Sequence, residues 1–122
     1  MENMINWFEI PAKDFNRAKK FYSTILSVEI KVLELPNFTM GLLPSDGKNV
    51  SGAIISNESY EPRDQGVLIY LNGRDDLNKM LSKVEGEGGK VIMEKRQINE
   101  EFGYMALFMD TEGNRIALHS RK

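Results

Sequence analysis

Two stretches of this chain repeat one another at a fixed distance. INWFEIPAKDFNRAKKFY opens on a short alternating run, then a proline, then an aspartate that heads an amphipathic stretch. GVLIYLNGRDDLNKMLSKVEGEGG follows the same plan, with Leu68 standing 61 residues after Trp7 and Asp75 standing 61 residues after Asp14. That distance is half of the 122-residue chain. A duplication of this kind limits the fold strongly, because both halves must build the same supersecondary unit and bury it against a neighbour.

Within each half the periodicities identify the elements. In INWFEI, residues two apart share a face, so Phe8 and Ile10 lie on one side and Trp7 and Glu9 on the other. Pro11 ends the run, and Asp14 is placed to cap a helix whose stripe is Phe15, Ala18, Tyr22, Ile25 and Leu26. VEIKV (28–32), NFTMGLL (37–43) and SGAIIS (51–56) read as strands, with SDGKN as a turn. NESYEPRDQ (57–65) has no period and reads as a linker. GVLIYLN (66–72) restarts the pattern. Asp75 or Asp76 is expected to cap a second helix with the stripe Leu77, Met80, Leu81 and Val84, closed by Gly86, Gly88 and Gly89. KVIMEK, YMALFMD and NRIALHS supply three more strands, the last two joined by a tight EGN turn.

The expected architecture is α+β: two βαβββ modules in tandem forming a cupped mixed sheet with a helix behind each module. Module one spans about 1–56, the linker about 57–65 and module two about 66–122, all within a single domain. Phe8, Ile10, Ile69 and Leu71 are expected beneath the helices. Trp7, Glu9, Leu68, Tyr70, Asn72, Ala117 and His119 then share the opposite, concave face, where a small molecule fits.

Composition narrows the function classes. The sequence has no cysteine, which removes disulfides, thiolate zinc sites and cysteine nucleophiles. The net charge is −2 with both signs interspersed, and Arg17, Lys19 and Lys20 lie beside Asp14, so no basic stripe marks a nucleic-acid surface. No run approaches the roughly 18 apolar residues of a membrane span. MENMINWFEI does not read as a signal peptide, and a cytoplasmic protein is expected.

The layout and three quoted stretches resemble the vicinal oxygen chelate superfamily of glyoxalase, bleomycin-resistance and extradiol-dioxygenase proteins. WFEIPAKDFNRAKKFY is similar to the family's opening strand and helix. YLNGRDDLNKMLSKVEGEGGKV is similar to the start of its second module, and DTEGNRIALHS to its closing D-x-x-G-N turn and strand. The resemblance implies a divalent metal held by His, Gln or Glu on four strands, acting as a Lewis acid on substrate oxygens. Carried onto this chain, the ligand positions fall on Trp7, on the Ala53–Ile55 stretch, on Leu68 and on Ala117. None of these side chains donates an electron pair to a metal, so no metal site and no cofactor is expected.

The remaining polar and aromatic residues of the concave face carry the functional reading. His119, the only histidine, is either a strand-end side chain with an ordinary hydrogen bond or a proton carrier and anion donor. Glu9 either reaches solvent or faces His119 as the other half of an acid–base pair. Trp7, Tyr70 and Asn72 are pocket walls or strand-edge groups. The favoured expectation is a metal-free binding protein for a small organic molecule, working as a homodimer, with Trp7, Leu68, Tyr70, Asn72 and Ala117 lining the cavity. The alternative is a lyase or isomerase of the glyoxalase type. It would use Glu9 and His119 as catalytic acid and base, or a divalent metal at a displaced site.

Overall fold

The computed structural model describes residues 3–122. The element order is β1 (Trp7–Pro11), α1 (Phe15–Leu26), β2 (Lys31–Leu35), β3 (Phe38–Leu42) and β4 (Ser51–Ser56), then β5 (Tyr70–Asn72), α2 (Asn78–Val84), a single 3-10 turn (Glu85–Glu87), β6 (Lys90–Asn99), β7 (Gly103–Met109) and β8 (Arg115–Ser120). Strand, helix and three strands therefore occur twice, as the duplication requires. The strands divide into two four-stranded mixed sheets, ordered β1-β4-β3-β2 and β5-β8-β7-β6. In each, the first strand of the module pairs parallel with the last, and the other pairs are antiparallel. Each module thus forms its own small sheet with a helix behind it, as expected, and among the described residues no strand pairing joins the two sheets.

Helix α1 forms where the sequence places it. Asp14 has extended backbone angles, and its carboxylate accepts the Arg17 N–H at 3.1 Å. Ala18, Phe21, Tyr22 and Ile25 recur at helical spacing and are buried. Ser27 ends the helix in the left-handed region, φ 54°. Helix α2 is shorter than expected and starts later. Its cap position is Leu77, already helical and without a side-chain cap bond. Asp76 instead accepts the Asn78 N–H at 2.9 Å, and the Leu77 N–H goes to Ser120 Oγ at 3.1 Å. Tertiary contact with the last strand thus replaces the local cap.

Three strand bounds also differ from expectation. β2 begins at Lys31, not Val28, and the strand expected over 66–72 shrinks to Tyr70–Asn72. Tyr70 pairs with Ala117, so residues before Leu68 run past the start of β8, and Val67 is left almost fully exposed. β6 extends to Asn99, with irregularities in its pairing to β7.

The helices and the inner faces of both sheets share one core. Ile10 and Ile54 enter it from the first sheet; Leu71, Ala106, Phe108, Ile116 and Leu118 enter from the second. Phe8 and Ile69 pack against it, so the expected inward parity holds for both opening strands. Phe21 of α1 meets Phe108 of β7 with ring centroids 5.9 Å apart, which carries the first helix onto the second module. Each such side chain contributes roughly 1.5–3 kcal/mol through burial.

A polar clasp completes the union. The β7–β8 turn, Asp110 to Asn114, closes with Asp110 N–H donating to Asn114 O at 2.9 Å and with Gly113 at φ 93°. Glu112 leaves that turn with its side chain fully buried and accepts the N–H groups of Lys13 and Asp14 at 2.8 and 2.7 Å. Arg17 grips the same carboxylate through Nε and Nη2 at 2.7 and 3.1 Å. Burial alone would raise the Glu112 pKa. The Arg17 hydrogen bond, the backbone N–H and the Thr111 hydroxyl outweigh it and hold the group below its ordinary value. Tyr22 donates its hydroxyl to buried Asp110 at 2.6 Å, and burial foremost, with the Asp110 charge and hydrogen bond, pushes that phenol well above its ordinary pKa. Asn114 Nδ2 reaches the Pro11 carbonyl at 2.7 Å.

Candidate functional site

The register of the second sheet builds the candidate surface row by row. Tyr70, Ala117, Leu107 and Met93 stand side by side, and Asn72, His119, Met105 and Arg96 form the next row. Their strand neighbours Leu71, Ile116, Leu118, Ala106 and Phe108 point into the core, so these rows face outward. Tyr70 and Asn72 are exposed, His119 and Met105 half-buried. Ala117, expected to line the cavity, is fully buried between its strand neighbours and does not line the groove described below.

An open groove of about 590 Å3 lies at the end of these rows. It is lined by Tyr70, Asn72 and His119, with Ile98 from the end of β6, Phe102 from the β6–β7 turn, and Arg74 and Arg121. Leu71 and Ser120 complete it. Three expected ligand-binding or catalytic residues therefore meet in one place. His119 Nε2 lies 2.5 Å from the Phe102 carbonyl oxygen and donates to it when the ring carries its proton there. Tyr70 Oη lies 4.0 Å from Met105 Sδ. A second groove of about 610 Å3 between α2 and β6 is lined by none of the expected site residues.

The other expected residues lie elsewhere. Trp7 and Glu9 belong to the first sheet, where Trp7 Nε1–H donates to Glu9 Oε2 at 3.4 Å. Neither lines the groove that holds His119. No hydrogen bond joins Glu9 to His119 among the described residues, so one chain by itself does not present them as an acid–base pair. Leu68 precedes β5 and is half-buried outside the groove.

Sequence reasoning did not place Ile98, Phe102, Arg74 or Arg121 at the site. The first two sit beyond the predicted end of β6, in a stretch without clear period. Arg74 follows the Asn72-Gly73 pair, a turn signal in hindsight, and adopts φ 63° with its N–H held by Asn72 Oδ1 at 2.8 Å.

The donor set does not fit a divalent metal. At the outward-facing positions where the superfamily resemblance placed ligands stand an indole, aliphatic groups and a methyl, and among the described residues no three His, Asp or Glu side chains cluster. No reaction step is therefore routed through a metal. Among the described residues no helix is long and apolar enough to cross a membrane.

With this geometry in hand, known proteins are similar in the following ways. A glyoxylase-like domain-containing protein of Didymella fabae is 28% identical over 131 residues, covering 99% of this chain and 96% of its own length. Among solved structures, a glyoxalase/bleomycin resistance protein from Albidiferax ferrireducens superposes with TM-score 0.72 at 16% identity, covering 98% of this chain and 100% of that one. The trypanothione-dependent glyoxalase I of Leishmania major superposes with TM-score 0.71 at 17% identity, covering 98% and 88%. The Zea mays glyoxalase I chain (E144Q mutant) matches at TM-score 0.70 and 18% identity over 95% of this chain, which spans only 44% of the maize chain. Identities this low establish a shared fold. The family description "Glyoxalase/Bleomycin resistance protein/Dioxygenase superfamily" matches residues 4–118, and the chain belongs to that superfamily.

Proposed function

We propose that this protein binds a small organic molecule in the outward groove of its second sheet, without a metal. The observation that carries the reading is the convergence of Tyr70, Asn72, His119 and Phe102 around one groove, while the aligned ligand positions Trp7, Leu68 and Ala117 lack donors. The groove's volume of about 590 Å3 falls within the range of small-molecule sites. Its openness is the feature a second copy would remedy. Trp7, Leu33 and Leu35 of the first sheet are each about two-fifths exposed. An apolar outer surface of that kind suits a homodimer in which one copy's first sheet covers the other's groove. The cysteine-free sequence suits the reducing cytoplasm, where we place the protein.

Nuclear magnetic resonance titration of the 15N-labelled chain with a library of small aromatic and aliphatic fragments tests the binding reading. The expected result is a set of shifts centred on Tyr70, Asn72, Phe102 and His119. Shifts scattered over the surface, or confined to the α2–β6 groove, would refute it. Light scattering after size exclusion tests the dimer: a mass equal to one chain at high protein concentration removes it.

The catalytic alternative, with Glu9 as one partner and His119 as the other, rests on the half-buried position of both side chains on outward strand faces. It requires two copies, because within one chain Glu9 bonds to Trp7 and His119 to Phe102. It is tied to the dimer and stands or falls with it.

A further inference from the structure

We infer that the ligand taken by this groove is an organic anion, a carboxylate on a flat apolar body. The inference rests on the binding reading above and adds the chemical class. Arg74, Arg121 and His119 all line the groove, and among the described residues no Asp or Glu lines it. This positive spot belongs to a chain whose net charge is −2, so it is local and not a reflection of composition.

The neighbouring carboxylates are committed elsewhere. Asp75 pairs with Lys79 at 3.1 Å and Asp76 with Lys95 at 2.9 Å, so lysines engage the two acids that follow Arg74, and Arg74 makes no ion pair among the described residues. Arg121 donates Nη1–H to the backbone carbonyl of Glu101 at 2.7 Å, a neutral acceptor that orients the guanidinium and leaves its charge unbalanced. Guanidinium groups hold carboxylates through paired N–H donors, a geometry an ammonium cannot offer. His119 is oriented in turn by the Phe102 carbonyl, with its second ring nitrogen left over.

The backbone at Arg74 supports the same conclusion. A left-handed φ of 63° is uncommon for arginine, and the Asn72 side chain holds it by accepting the Arg74 N–H. Such positions cluster where a side chain must be aimed. Phe102, Tyr70 and Ile98 supply the apolar part of the lining, with Phe102 and Tyr70 about half-exposed. Two arginines and two aromatic rings lining one groove match an acid with a planar hydrocarbon portion.

The probes are 2-naphthoate and its neutral counterpart 2-naphthamide, titrated calorimetrically into the full chain, with 15N shifts locating each. The expected result is that naphthoate binds at least about tenfold more tightly than naphthamide, the scale of one charge-assisted hydrogen bond. Arg74→Gln and Arg121→Gln are expected each to remove about tenfold of the naphthoate affinity and leave naphthamide unchanged. Arg74→Gly, which keeps the left-handed backbone and deletes the guanidinium, is expected to match Arg74→Gln. Equal binding of both probes in this groove overturns the anion inference and leaves the binding reading standing. No shift at Tyr70, Asn72, Phe102 or His119 with either probe overturns both. Naphthoate preference that survives the double variant also overturns it.

Discussion

The two modules share a plan and divide the work. Module one has a 12-residue helix with a side-chain cap at its start, and its outer sheet face is mainly apolar, with Trp7, Met40, Leu42 and Leu33. Module two has a 7-residue helix without such a cap, a 10-residue edge strand with irregular pairing, and the groove that gathers His119 and two arginines. The difference shows that one duplicated framework tolerates local weakening in the half that carries the groove. α2 draws its order from contact, through Leu77 N–H on Ser120, where α1 draws part of its order from Asp14 alone. The half with weaker local signals depends more on the rest of the molecule.

That contrast can be broken most directly at the clasp. Glu112→Gln is expected to cost about 2–3 kcal/mol and to lower the midpoint of thermal unfolding by roughly 10 °C, the half-exposed Arg17 keeping the loss below that of a fully buried pair. An unchanged midpoint would mean that the Glu112 carboxylate adds nothing to the union of the modules beyond the apolar core and the Tyr22–Asp110 and Asn114–Pro11 bonds. The sign with pH follows from the lowered Glu112 pKa in the folded state. Its stabilisation is complete above the ordinary carboxylate range and is lost as pH falls through the folded value. Acid unfolding curves of the parent and Glu112→Gln should therefore converge at low pH; parallel curves would contradict the assignment.

Tyr22→Phe comes next in size. It removes the hydroxyl from Asp110 but leaves that carboxylate its bonds from the N–H groups of Glu112 and Asn114, so about 1–2 kcal/mol is expected by urea unfolding. Replacing the caps then compares the modules themselves. Asp14→Ala is expected to cost about 1 kcal/mol. Asp75→Ala, at the matching position of the repeat, should leave the midpoint within error, because Asp75 makes an exposed pair with Lys79 and does not cap α2. Equal losses would show that the halves are stabilised alike. The smallest expected effect is optical. Trp7, the only tryptophan, lies outside the groove, so ligand binding to an isolated chain should leave its emission unaltered. A ligand-dependent change would bring the first sheet of a second copy to the groove and sharpen the division of labour.

Much of the fold was legible from residue order. The 61-residue duplication, the inward parity of Phe8, Ile10, Ile69 and Leu71, and the Asp14 cap are all local patterns, and all appear in the structure. The site was legible in part. Alternation put Tyr70, Asn72 and His119 on one face, and register then set Asn72 beside His119. Alternation also put Trp7 and Glu9 on a like face, but of another sheet, and parity carries no information about which sheets adjoin. Ile98, Phe102, Arg74 and Arg121 had no periodic signal, since they reach the groove through a strand end, a turn and the last residues of the chain. The Arg17–Glu112 contact was equally hidden, because 95 residues separate its partners.

The sequence by itself determined that this chain would be a tandem of βαβββ units and that its ligand positions would lack metal donors. Periodicity and side-chain chemistry are properties of residue order and need no neighbour to exist. Only the tertiary structure decided the strand register and that Glu9 would bond to Trp7 and His119 to Phe102. It also decided that two arginines would close on the histidine's groove. Those outcomes depend on how the modules dock, and docking is fixed by the shared core and the Glu112 clasp, contacts between residues far apart along the chain.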